Sequence, residues 1–258
     1  MLRAALSLSA AALLALTFRP APKPSTTPPR AAAARVPVVV ELFTSEGCSS
    51  CPAADEVLRE LARTQPVPGV EVLALGQHVD YWNRLGWKDA FSAPQFTERQ
   101  RDYARHFGTN SYTPQAVVNG RYELVGSQRS RLLATITQAA QEAPATVALT
   151  RTAGHLQVRV DQLPAGTAAA TVLLALTETG LSSLVGRGEN AGRLLRHAAV
   201  VRTLRPLGPV GPDGRFTATV PLTLAAGWQP AQLQAVVLVQ EEASRRIVGA
   251  GWLPLAAD

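Results

Sequence analysis

Apolar and polar positions change rhythm several times along the chain, and each change marks an element. From Val36 to Phe43 the residues are almost all apolar and β-branched, the pattern of a strand buried on both faces of a parallel sheet. Thr44-Ser45-Glu46-Gly47 reads as a turn. Pro52 to Arg63 then follows a helical period. Pro52 suits a first-turn position, Asp55 and Glu56 favour the positive end of the helix dipole, and Val57, Leu58 and Leu61 form the apolar face. Pro66, Pro68 and Gly69 break the helix, and Val70 to Leu75 resumes as a strand. Strand, turn, helix and strand in that order predict a βαβ unit.

A polar and aromatic stretch, His78 to Gln95, leads into a helical pattern from Pro94 to Phe107. Gln115 to Gly126 holds two apolar runs around Asn119-Gly120, a strong hairpin signal. A helix from Arg129 to Glu142 closes this part, ended by Pro144. Beyond it the rhythm is of separate β-like runs: Val147–Val160, Thr171–Thr177, His197–Leu204, Arg215–Leu222 and Leu233–Val239. Segments such as Gly211-Pro212-Asp213-Gly214 divide them. The expected class is an α/β domain over residues 36–143 followed by a mainly antiparallel, β-sandwich-like domain over residues 144–258.

Composition adds a compartment and removes a function class. With 47% hydrophobic and 17% charged residues, the chain can bury a core. The net charge of +6 would suggest nucleic acid, but no Lys/Arg block and no interleaved aromatic platform is present, so no nucleic-acid partner is expected. Five of the basic residues fall before residue 36, where there is no acid. A short positive start, Met1-Leu2-Arg3, precedes an apolar run from Ala4 to Phe18 that suits a signal peptide and is short for a membrane span. Arg19 to Arg35, rich in Pro, Ala, Ser and Thr, reads as a flexible tether. Residues 1–35 are thus expected to be a signal peptide or N-terminal anchor plus tether. The protein is expected to be exported, periplasmic or extracellular, and to touch a membrane only through that anchor.

The chemistry lies at Cys48 and Cys51, the only two cysteines. A Cys-x-x-Cys just after a buried strand and opening a helix is a redox signal. Cys48 falls at a helix N-terminus, where unpaired N–H groups and the dipole favour a thiolate. Cys51, one turn on, can resolve a mixed disulfide. Thr113-Pro114, before the hairpin, is a candidate cis bond. Glu41, in an otherwise apolar strand, is a candidate proton partner for Cys51.

The run Glu41-Leu42-Phe43-Thr44-Ser45-Glu46-Gly47-Cys48-Ser49-Ser50-Cys51-Pro52 resembles the signature of a secreted bacterial family, domain-of-unknown-function family 1223. His78-Val79-Asp80-Tyr81-Trp82, Leu85-Gly86-Trp87-Lys88-Asp89 and Tyr112-Thr113-Pro114-Gln115 resemble its further motifs in the same order, and Gly188 to Arg193 with Leu195-Arg196-His197 is similar to its C-terminal part. The resemblance covers about residues 36–255. It implies a thioredoxin-like first domain and export, and no established substrate. In thioredoxins the loop proline lies against the Cys-x-x-Cys, the place Pro114 would take. Gly47 stands where an aromatic residue often precedes the first cysteine, which implies a less shielded Cys48.

The expected function is thiol-disulfide exchange with protein or small-molecule thiols and disulfides, served by an unidentified redox partner and needing no cofactor. The catalytic candidates are Cys48, Cys51, Pro114 and Glu41, and the substrate-contacting ones are Thr113, Trp82 and His78. Two alternatives stand beside it. Cys48, Cys51 and His78 could hold a soft metal such as copper, as in a metallochaperone. The disulfide could instead be inert in a secreted interaction module. His197, Arg193 and Arg196 read as a solvated loop, and Arg99, Arg101 and Arg105 as a charged outer helix face. No Gly-x-Ser-x-Gly elbow, phosphate loop or His-Glu-x-x-His motif supports a hydrolase or nucleotide-binding reading.

Overall fold

A computed structural model describes residues 35–256, so the expected export segment and nearly all of the tether lie outside the described residues. β1 (Val36–Thr44) and β2 (Val70–His78) run parallel, in register from Val36 opposite Val70 to Thr44 opposite His78. Between them α1 (Cys51–Thr64) makes the crossover. Successive side chains of a strand point to opposite faces. Val38, Val40 and Leu42 of β1 therefore pack against Leu58 and Leu61 of α1. Val39 and Phe43 face the other way, towards Phe96 and Tyr103 of α2 (Pro94–Phe107).

β3 (Gln115–Val118) pairs antiparallel with the far edge of β1, and β4 (Tyr122–Val125) pairs with β3. Asn119 (φ 47°) and Gly120 (φ 64°), both left-handed, are the central residues of the turn, which the Arg121 N–H closes on Val118 O at 3.0 Å. Gly120 is also required for space, since a Cβ there would overlap the Arg245 carbonyl. α3 (Arg129–Ala139) returns to the α1 face through Leu132 and Ile136.

The remaining strands are β5 (Thr146–Thr152), β6 (His155–Asp161), β7 (Ala170–Glu178), β8 (Ser182–Leu184), β9 (Leu194–Arg196), β10 (Val200–Pro209), β11 (Phe216–Pro221), β12 (Leu233–Glu241) and β13 (Ile247–Pro254). Four of them extend the first sheet. The result is one mixed eight-stranded sheet in the order β13-β12-β7-β10-β2-β1-β3-β4. The strands β11-β6-β5 form a separate sheet, and β8 and β9 a hairpin.

This arrangement overturns the expected fold class, a thioredoxin-like α/β domain followed by a β-sandwich-like one. The strands after residue 143 do not close on themselves. Instead β10 joins the open edge of β2, with Val200 opposite Gly76 and the Gly76 N–H donating to Ala199 O at 2.9 Å. A Cβ at Gly76 would lie 2.7 Å from the Ala198 carbonyl oxygen, so glycine is what allows the close approach. Apolar alternation predicts strands but is silent on which edge each one joins. The small sheet covers the far end of the large one, where Leu156, Val158 and Val160 of β6 pack on Val172 and Leu174 of β7 and Val237 of β12.

Candidate functional site

Cys48 and Cys51 form a disulfide, with their Cα atoms 5.4 Å apart. The chain leaves β1 through a tight turn in which the Cys48 N–H donates to Ser45 O and the Cys51 N–H to Cys48 O, both at 3.2 Å. Cys51 is the first residue of α1 and Pro52 occupies its first turn. The Thr113–Pro114 peptide is cis and leads into β3. The Thr113 carbonyl oxygen lies 3.9 Å from Cys48 Sγ, and the Trp82 indole N–H donates to the Thr113 hydroxyl at 2.9 Å. The fold thus gathers Cys48, Cys51, Thr113, Pro114 and Trp82 at one place.

Exposure differs from the expectation of a less shielded Cys48. Cys48 is 1% exposed and Cys51 is fully buried, while Ser49 and Ser50 between them are open to solvent. Trp82 packs against the residue before Cys48, its Cβ lying 3.3 Å from where a Gly47 side chain would begin.

Beneath the disulfide is a buried group of ionisable side chains: Glu46, Asp55, His78, Asp89 and His197. His78 Nδ1 is 2.6 Å from Asp89 Oδ2, and the same oxygen accepts the Glu46 N–H at 2.9 Å. Glu46 in turn accepts the Trp87 indole N–H at 2.7 Å and lies 3.1 Å from His197 Nε2. The two imidazole rings meet edge to face, with centroids 4.8 Å apart. Burial opposes a charge on His78, but the Asp89 carboxylate, its hydrogen bond and the nearby Asp55 and Glu46 outweigh it and hold His78 above its ordinary value. Burial acts against Asp89 as well, and His78 reverses it, so Asp89 lies below the usual carboxylate range. Asp55 goes the other way. Burial raises it, and His78, His197 and the Thr44 hydroxyl offset this only in part.

Asp55 follows Cys51 by four residues on α1, so both lie on one helix face, and helical side chains lean towards the N-terminus. That brings the Asp55 carboxyl under the Cys51 turn, where it accepts the Thr44 hydroxyl at 3.2 Å.

Glu41 is elsewhere. In β1 it shares its face with Val39 and Phe43, the α2 side of the sheet, whereas α1 packs on the opposite side. It is bound there by Arg99 (2.5 and 3.0 Å), the Tyr103 hydroxyl (2.5 Å) and Gln77 (2.5 Å). Arg99 therefore departs from the outer-face reading, its side chain being only 12% exposed and paired with a fully buried carboxylate. His78 is also committed, to Asp89 rather than to a sulfur. Among the described residues no group of three or more His, Cys, Asp or Glu is arranged to hold a metal.

The profile of the family described as "Protein of unknown function (DUF1223)" matches residues 39–240. The chain belongs to this family. It is similar to the crystal structure of a protein from Agrobacterium tumefaciens, a structural-genomics target. The two are 31% identical over 88% of this chain and 98% of that one, with a TM-score of 0.71. A domain of the outer membrane lipoprotein Omp28 from Porphyromonas gingivalis is 11% identical over 43% of this chain and 85% of that one. Its TM-score is 0.26, too slight a likeness to carry an argument. Among curated proteins none matches.

In this DUF1223 chain the second half completes the site. Fully buried Asn190 donates to Glu46 O and to Cys48 O, both at 2.9 Å, and its own oxygen accepts Arg193 at 2.7 Å. The Glu189 carboxylate accepts the Ser49 N–H at 2.9 Å. His197 is 3% exposed beside Glu46, which corrects the solvated-loop reading. The residues that sequence reasoning missed as site members are Glu46, Asp55, Asp89, Glu189 and Asn190. Asp55 carries a usable signal, its four-residue spacing from Cys51. Glu189 and Asn190 carry one only through the family-like run Gly188 to Arg193.

Proposed function

We propose that the chain is a thiol-disulfide oxidoreductase acting through Cys48 and Cys51 on protein or small-molecule thiols and disulfides. The observation that carries the reading is a disulfide between cysteines three positions apart at the start of α1, with a buried carboxyl one turn below it.

In the reducing direction of the site, an incoming thiolate attacks Cys48 Sγ. The new S–S bond forms as the Cys48–Cys51 bond breaks, and Cys51 leaves with the electron pair. Asp55, whose pKa burial raises towards the neutral form, is the group that gives a proton to the Cys51 thiolate. A second thiolate then displaces Cys48 from the mixed disulfide, leaving both cysteines reduced and the two incoming thiols joined. The reverse sequence oxidises a substrate dithiol, with the Asp55 carboxylate taking the Cys51 proton. The Thr113 carbonyl beside Cys48 and the Trp82 ring bound to Thr113 are placed to contact a captured chain. Such a disulfide persists in an oxidising compartment, in keeping with the export proposed from the apolar run Ala4 to Phe18.

The experiment is a trap. With Cys51→Ser, a substrate disulfide should be captured as a stable mixed disulfide on Cys48, seen as a mass increase by intact mass spectrometry. Cys48→Ser should capture none. Equal capture by both variants, or by neither, contradicts the mechanism. A second reading, an inert structural disulfide, is favoured by the burial of both sulfurs, and it predicts no capture by either.

A further inference from the structure

We propose that Glu189 is a positioning residue for the disulfide: its carboxylate, fixed on the Ser49 N–H, disfavours negative sulfur at Cys48 and biases the pair towards the oxidised state. The inference rests on the redox reading above and deepens it.

The geometry is specific. Glu189 Oε2 takes the Ser49 N–H at 2.9 Å, so this donor next to Cys48 is committed to a carboxylate. It also leaves a negative charge one peptide from Cys48. Glu189 is exposed, but the loop that carries it is pinned. The neighbouring Asn190 is fully buried and pegs the loop to Glu46 O and Cys48 O, and Arg193 holds Asn190 by its oxygen. α1 carries no acidic residue in its first turn and no side-chain cap at Ser50, so the anion on the Ser49 N–H ahead of this helix is supplied by Glu189 from the second half of the chain. Ser49 hydrogen bonds from side chain and backbone hold Glu189 below the usual carboxylate range, so it is charged at neutral pH.

The disulfide carries no charge, whereas the reduced pair carries a negative Cys48 above the pKa of its thiol. A fixed anion beside Cys48 therefore penalises the reduced form only. The other charged groups facing this end of α1 are the buried set of Glu46, Asp55, His78, Asp89 and His197, and Glu56, Arg59, Arg193 and Arg196 nearer the surface. All are retained when Glu189 alone is changed.

The test uses the full chain equilibrated with glutathione and glutathione disulfide at pH 7.5 in low salt, with thiol alkylation and mass analysis. Glu189→Gln keeps the shape and an acceptor oxygen for Ser49 but loses the charge. It should shift the equilibrium towards the dithiol by about three- to tenfold, and the shift should shrink in about 1 M salt. Glu189→Asp, which keeps the charge, should shift it less. The Cys48 pKa, read from thiolate absorbance in the Cys51→Ser background, should fall in Glu189→Gln. An unchanged equilibrium in a correctly folded Glu189→Gln protein, with the wild type exchanging normally, overturns this inference and leaves the redox reading standing. A wild-type disulfide that does not exchange at all overturns both.

Discussion

The side chain of Asn190 donates to the carbonyl oxygen of Cys48, 142 residues earlier in the chain, at 2.9 Å. The second donor of the same amide goes to Glu46 O, so one buried side chain closes the turn between β1 and α1. Replacing Asn190 with Ala would leave two buried carbonyl groups without their partner. The expected cost is about 2–3 kcal/mol in urea unfolding. Hydrogen exchange should rise at residues 46–50 and 186–194 together. Loosening of one segment without the other would refute the coupling.

Asp55 makes a prediction of opposite sign for stability and activity. Its folded pKa is raised, so its favourable contribution is present below the unfolded value of about 3.9 and is lost as pH climbs through the folded one. Asp55→Asn removes that loss. The variant should gain about 0.5–2 kcal/mol over wild type near pH 8 and gain nothing below pH 4. Disulfide exchange should slow at least tenfold, as expected for a lost proton donor. A variant that is both more stable and fully active would remove Asp55 from the mechanism.

The His78–Asp89 pair defines a pH window. His78 is raised, so its contribution fades as pH rises through its folded value, and Asp89 is lowered, so its contribution fades as pH falls through its own. The pair therefore stabilises most between about pH 4 and pH 6.5, the unfolded values. Asp89→Asn should cost about 3 kcal/mol in that window by stranding a buried imidazolium, and the His78 titration followed by NMR should move down. A pH-independent loss would mean that packing, not charge, is what the pair provides.

Glu41 separates stability from chemistry. Glu41→Gln leaves Arg99 without its buried carboxylate and should destabilise the protein by about 3 kcal/mol. The thiol-disulfide equilibrium should be unchanged, because the side chain lies across the sheet from α1. A changed equilibrium with unchanged stability would return Glu41 to the site.

What was legible in the sequence was local. The Cys-x-x-Cys, the proline before β3, the Asn119-Gly120 turn and the helix from Pro94 to Phe107 each carry their cue within a few residues. What was not legible depends on partners far along the chain. Glu41 looked like the acid of the site because it precedes Cys48 by seven positions, but strand alternation turns it to the α2 face while Thr44 turns to Asp55. The seam between β2 and β10, carried by Gly76 and Val200, has no signature in either segment, and with it went the expectation of two separate folds. His197 looks like a loop polar, and Asn190 stands out only within the family-like run, because nothing near them in sequence announces Glu46 or Cys48.

The most direct test of the central claim is the reduction potential of the Cys48–Cys51 pair, obtained by equilibrating the purified chain with glutathione or dithiothreitol couples and alkylating the free thiols. An exchange-active pair should reduce and reoxidise reversibly, with a midpoint between about −120 and −270 mV, the span of known thiol-disulfide exchange proteins. A bond that stays oxidised below about −300 mV, or that yields only to denaturant, would make the disulfide structural and contradict the account.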